Sequence, residues 1–102
     1  MSHDHTVQRF VVTGRVQGIG FRLFIAREAS RLKLAGWVRN RAANQVEFVV
    51  MGESVAISEL AAVAQRGPAS ARVDDIYSEE SDAAALALCN ENGRGMVVAP
   101  SI

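Results

Sequence analysis

The chain holds 102 residues, with 11 Lys and Arg against 11 Asp and Glu and a formal net charge of zero. That length suits one domain, and 49% hydrophobic with 22% charged residues is a globular composition that argues against disorder. Neutrality argues against a broad basic face for nucleic acid or anionic lipid, and a single cysteine, Cys89, excludes an internal disulfide or a cysteine-rich zinc site.

Residues 1–6 are expected to form a flexible polar tail ahead of a single domain over residues 7–102. His3 and His5 fall in this tail, where solvation is the expected state and adventitious capture of Cu or Ni the alternative. No apolar run approaches the ~20 residues that span a bilayer. No apolar segment precedes Val7, as a secretory signal would require. A cytoplasmic protein is the resulting expectation, with no membrane or nucleic-acid partner.

Thr6 to Thr13 is rich in β-branched and aromatic residues and predicts a first strand. Three glycines between Gly14 and Gly20 then break regular structure. From Phe21 the period becomes helical: Phe21, Phe24, Ile25, Ala29 and Leu32 share a stripe, which predicts a helix ending near Leu34. Ala35 to Asn40 predicts a second strand. Gln45 to Met51 predicts a third, with Val46, Phe48 and Val50 on one face and Gln45 and Glu47 on the other. Arg41 to Asn44 makes the hairpin between them, Asn44 being the residue suited to positive φ. Ser54 is the expected N-cap of a second helix with Ile57, Leu60, Ala61 and Ala64 as its apolar stripe, stopped by Gly67-Pro68. Val73 to Tyr77 predicts a fourth strand. Beyond residue 79 the pattern is weak: Ser81 to Asn92 reads as loop or short helix, and Met96 to Ala99 as a short fifth strand. The order is β-α-β-β-α-β, the ferredoxin-like α+β sandwich, an antiparallel sheet with two helices on one face.

This topology locates a site. The first two strands are joined by a crossover helix, run parallel, and end on the same sheet edge. That edge carries the Gly14–Gly20 loop, the first helix N-terminus and Asn40. Loop and helix present unpaired N–H groups and a positive dipole end to one point. Arg22 lies in the first helical turn, where its guanidinium can close on the same anion. The convergence predicts a site for a phosphate-sized anion, against the plainer reading of a tight turn beside a solvated arginine. The loop matches neither a Walker A motif nor a dinucleotide fingerprint, so nucleotide binding is not indicated.

The stretch Val12-Thr13-Gly14-Arg15-Val16-Gln17-Gly18-Ile19-Gly20-Phe21-Arg22 closely resembles the first signature of the acylphosphatases, and Gly36-Trp37-Val38-Arg39-Asn40, followed by Val46 and Gly52, resembles the second. Gly67-Pro68 and Ala71-x-Val73 resemble later segments, so the likeness covers roughly residues 7–78. It implies a cofactor-free and metal-free enzyme that hydrolyses carboxyl–phosphate anhydrides such as acetyl phosphate or carbamoyl phosphate. It also implies that Val16, Gln17, Gly18, Ile19, Gly20 and Arg22 hold the phosphate and that Asn40 places the attacking water. Three departures stand out: Ile19 where valine is usual, Asn44 where glycine is usual, and no Phe-x-Ile ending.

The chemistry is consistent with those residues. A carboxylate leaves easily, so phosphoryl transfer chiefly needs positioning and charge stabilisation. A neutral Asn40 orients water without repelling a dianion, as a carboxylate would. The loop has no Ser, Cys or His at a motif position, so no covalent intermediate is expected. Asp74 and Asp75 are adjacent on a strand and should face opposite ways, and Glu79-Glu80 reads as a solvated pair. The expected partner is a small-molecule acyl phosphate, and the expected state a monomer. The alternative is a non-catalytic module that binds phosphate or carbamoyl phosphate, resembling the N-terminal part of hydrogenase-maturation carbamoyltransferases. RNA binding, which uses the same topology, would need stacked aromatics that Phe10 and Phe48 alone do not supply.

Overall fold

A computed structural model describes residues 5–102. The sites expected for residues 1–4, including His3, lie outside the described residues, and His5 is exposed. The elements run β1 (Thr6–Arg15), α1 (Phe21–Arg31), β2 (Ala35–Arg41), β3 (Gln45–Gly52), α2 (Ser54–Arg66), β4 (Arg72–Glu80), α3 (Ala83–Ala87) and β5 (Met96–Val98). Thr6 pairs with Gly52, so the sheet starts one residue before the expected domain boundary.

The sheet order is β4-β1-β3-β2-β5. Its four long strands are antiparallel neighbours, while β5 pairs parallel with β2 and makes the sheet mixed. Alternation along the strands sorts side chains to two faces. Phe10, Val12, Val38, Val46, Phe48 and Val50 meet Phe21, Ile25 and Ala29 of α1 and Ile57, Leu60 and Ala64 of α2 in the main core. Phe10 and Phe48 stack at 4.8 Å across the β1–β3 pair. A third helix sits on the opposite face, a layer the two-helix reading did not contain. There Leu86 packs with Trp37 and Val49, and the Trp37 indole N–H donates to the Ala85 carbonyl at 2.9 Å. Asp82 caps α3 by accepting from the Ala85 N–H.

Helix boundaries differ from expectation for identifiable reasons. α1 ends at Arg31 because Lys33 takes a left-handed φ of 62°, donating to the Ser30 carbonyl while the Leu34 N–H reaches the Ala29 carbonyl. This closing pattern usually employs glycine. At α2 the N-cap is Glu53, and Ser54 is already the first helical residue. Asp74 falls at a bulge between the Thr13–Asp75 and Gly14–Val73 pairs, and both aspartates are exposed.

The second face carries an ion network in place of a plain solvated surface. Glu47 is only 5% exposed. It accepts from Arg9 Nε at 2.7 Å and Arg39 Nε at 2.8 Å. Glu79, expected to be solvated, pairs with Arg9 at 3.0 Å and accepts from the Tyr77 hydroxyl. Burial pushes the Glu47 carboxyl up, but the bonds and charges of Arg9 and Arg39 outweigh it and hold the group below its ordinary 4.5. A depressed carboxylate contributes stability that is full above its unfolded value and lost as pH falls through its lower folded value. Glu47→Gln is therefore expected to lower the melting temperature at neutral pH and to flatten the decline in stability below about pH 4.5. Thermal melts of both proteins across pH 2–7 check this; parallel curves would contradict it.

Candidate active site

The Gly14–Gly20 segment turns from β1 into α1 through two left-handed glycines, Gly18 at φ 74° and Gly20 at φ 81°. Gly20 is the N-cap of α1 and supplies no capping side chain. An added Cβ would meet nothing within 4 Å at either position, so backbone conformation selects glycine there. Among the described residues, the N–H groups of Val16 to Gly20 donate to no protein acceptor. Free donors thus gather where the α1 dipole begins.

A cavity of about 130 Å3 opens at this point, lined by Val16, Gly18, Gly20, Phe21, Arg22, Leu23, Asn40 and Val98. Arg22, half-buried in the first turn of α1, makes no ion pair or side-chain hydrogen bond among the described residues. An uncommitted guanidinium at a helix N-terminus is matched to an incoming anion. Asn40 reaches the cavity from the C-terminal end of β2, and its Oδ1 is buried and accepts no hydrogen bond among the described residues. A buried acceptor left without a donor is costly. Here that acceptor belongs to a residue lining the cavity.

The structure therefore brings together Val16, Gly18, Gly20, Arg22 and Asn40. It places Gln17 and Ile19 differently. Ile19 packs partly against the main core. The Gln17 side chain turns away, its Nε2 donating to the carbonyls of Ala42 and Gln45 at 2.9 Å each and lying 3.4 Å from that of Arg41. Only the backbone of these two residues can serve the cavity.

The β2–β3 turn also departs from expectation. Ala42, and not Asn44, takes the left-handed conformation, at φ 54°. Its carbonyl is held by Gln17 and its N–H donates to the Ile102 carbonyl at 3.1 Å, while the Asn44 carbonyl accepts from the Gly14 N–H. Long-range bonds, absent from any local pattern, override the local preference. The Ile102 N–H in turn donates to the Asn40 carbonyl, and Val98 lines the cavity, so the end of β5 and the segment after it border the site. No signal in the sequence marked residues 98–102 for this position.

A family model described as Acylphosphatase matches residues 8–86. An acylphosphatase of Koribacter versatilis is 42% identical over 81 residues, covering 79% of this chain and 74% of its own. One of Nitrobacter hamburgensis is 45% identical over 76 residues, covering 74% and 77%. The crystal structure of acylphosphatase from Bacillus subtilis is similar at a TM-score of 0.77 and 35% identity, covering 90% of this chain and 96% of that one.

Proposed function

The chain belongs to the acylphosphatase family and hydrolyses acyl phosphates, and we propose that it does so at this cavity, with Arg22 and the loop N–H groups holding the phosphoryl group and Asn40 placing the water. The observation that carries this reading is the meeting of free loop donors, an uncommitted Arg22 and an unpartnered Asn40 Oδ1 around one small cavity.

In the reaction, the water donates a hydrogen bond to Asn40 Oδ1, which turns its lone pair toward phosphorus. The new O–P bond forms as the P–O bond to the acyl carbon's oxygen breaks, and the carboxylate leaves with that electron pair. Arg22 and the amides meet the charge on the equatorial oxygens, where preorganised donors act most strongly. Among the described residues lining the cavity, none carries a carboxylate, imidazole, hydroxyl or thiol side chain. The water's proton therefore passes to a phosphoryl oxygen of the substrate, and the products are a carboxylate and protonated inorganic phosphate.

Turnover in this scheme needs no metal, because Arg22 supplies the positive charge. Among the described residues no three His, Cys, Asp or Glu side chains are grouped to hold an ion. Hydrolysis of acetyl phosphate by the purified protein is expected to proceed at the same rate with and without EDTA. Loss of activity on chelation, restored by Mg2+ or Zn2+, would contradict the scheme, and absence of turnover altogether would favour a phosphate-binding module. A cytoplasmic monomer acting on a diffusible substrate is the proposed setting. No helix of the described residues is long and apolar enough to cross a membrane.

A further inference from the structure

Gln17 occupies an unusual position between two parts of the machinery. Its backbone lies in the phosphoryl-binding loop, between the lining residues Val16 and Gly18. Its side chain crosses to the β2–β3 turn, where one amide group faces three carbonyls: Ala42 and Gln45 at 2.9 Å and Arg41 at 3.4 Å. Arg41 is the neighbour of Asn40, and Gln45 is its ladder partner on β3. Two N–H groups thus tie the loop to the strand end that carries the water-placing residue. The grip also helps hold Ala42 at φ 54°, a left-handed conformation that is strained for a residue with a Cβ.

We propose that Gln17 is a positioning residue for hydrolysis, setting the placement of Asn40 relative to the phosphoryl group through its amide clamp on the β2–β3 turn. The proposal rests on the roles given above to Arg22 and Asn40. The loop is independently fixed by β1 at one end, by α1 at the other and by the bond from the Gly14 N–H to the Asn44 carbonyl. Removing the clamp therefore leaves the phosphate cradle in place and takes away the side-chain grip on the turn beside Asn40, which then rests on the β2–β3 ladder and the bonds from Ala42 to Ile102 and from Gly14 to Asn44. A misplacement on the order of 1 Å is enough to cost about a hundredfold in rate.

The test is a double-mutant cycle with Gln17→Met, which keeps length and removes the donors, and Asn40→Ala. The readouts are kcat for acetyl phosphate and the calorimetric Kd for inorganic phosphate. Gln17→Met is expected to lower kcat by about ten- to a hundredfold while the phosphate Kd stays close to wild type. In the Asn40→Ala background it should bring little further loss, because coupled residues are not additive. Equal losses in both backgrounds would overturn the positioning role, as would wild-type kcat in Gln17→Met or a phosphate Kd that weakens as much as kcat falls. If Asn40→Ala alone keeps wild-type kcat, it is the underlying assignment of Asn40 that fails, and the inference with it. Gln17→Glu, of equal length and without donors, repeats the cycle should the Met variant not fold. Failure of both variants to fold would make the clamp part of the fold itself and overturn the inference.

Discussion

Arg22→Gln is expected to lose phosphate binding and turnover together. Arg22 is the single charged side chain among the cavity's lining residues, and no protein partner competes for its guanidinium among the described residues. A phosphoryl group carries negative charge both when bound and in the transition state, so the same contacts serve both. Each hydrogen bond to a charged group is worth ~1.5–3 kcal/mol, so inorganic phosphate should bind about ten- to a hundredfold more weakly. Because the substitution also removes charge stabilisation in the transition state, kcat/KM should fall further, by ~10²–10³ or more. Arg22→Lys should restore only part of either loss, since an ammonium keeps the charge without the two-pronged geometry. Arg22→Gln binding phosphate as tightly as wild type would remove the arginine from the site.

Asn40→Ala should separate what Arg22→Gln leaves joined. The buried Asn40 atom without a partner is the acceptor Oδ1, which suits a water and not a phosphate anion that brings acceptors of its own. Phosphate affinity should therefore change little, while kcat falls by ~10²–10³, the scale of losing one preorganised polar group. Asn40→Asp should be no better, because the new carboxylate faces the anionic phosphoryl group. Circular dichroism on each variant establishes that it is folded. Near-normal kcat in Asn40→Ala would contradict the assignment.

The sheet edge that carries the site could be read from residue types and spacing because it depends on local features, while the roles expected of residues 16–20 and Asn40 came from the likeness to the acylphosphatase signatures. Period-2 and helical stripes placed β1, α1, β2 and β3, and the crossover rule then set the ends of β1 and β2 on one edge, which brought Arg22 and Asn40 together. What escaped that reading depends on distant partners. Lys33 ends α1 in a conformation usually left to glycine, and the break therefore carries no composition signal. Ala42 is left-handed because Gln17 and Ile102 hold its two polar groups, although Asn44 is the better local candidate. Glu47 has the alternation of a solvent-facing residue and is buried because two arginines converge on it. α3 is only five residues long, and Leu86 finds its place against Trp37 and Val49 from elsewhere in the chain. The direction of the Gln17 side chain has no sequence signature at all. The loop motif names the residue, but only the fold shows that its amide leaves the cavity and grips the turn.

In the proposed site the phosphoryl group is held by the loop N–H groups and Arg22 at the start of α1. A titration of the 15N-labelled protein with inorganic phosphate, followed by amide NMR at constant ionic strength, tests it most directly. Saturable shifts are expected of the backbone signals of residues 16–22 and of the Arg22 side chain, with a dissociation constant equal to the inhibition constant of phosphate against acetyl phosphate. Unmoved signals for residues 16–22 at phosphate concentrations that fully inhibit hydrolysis would contradict it.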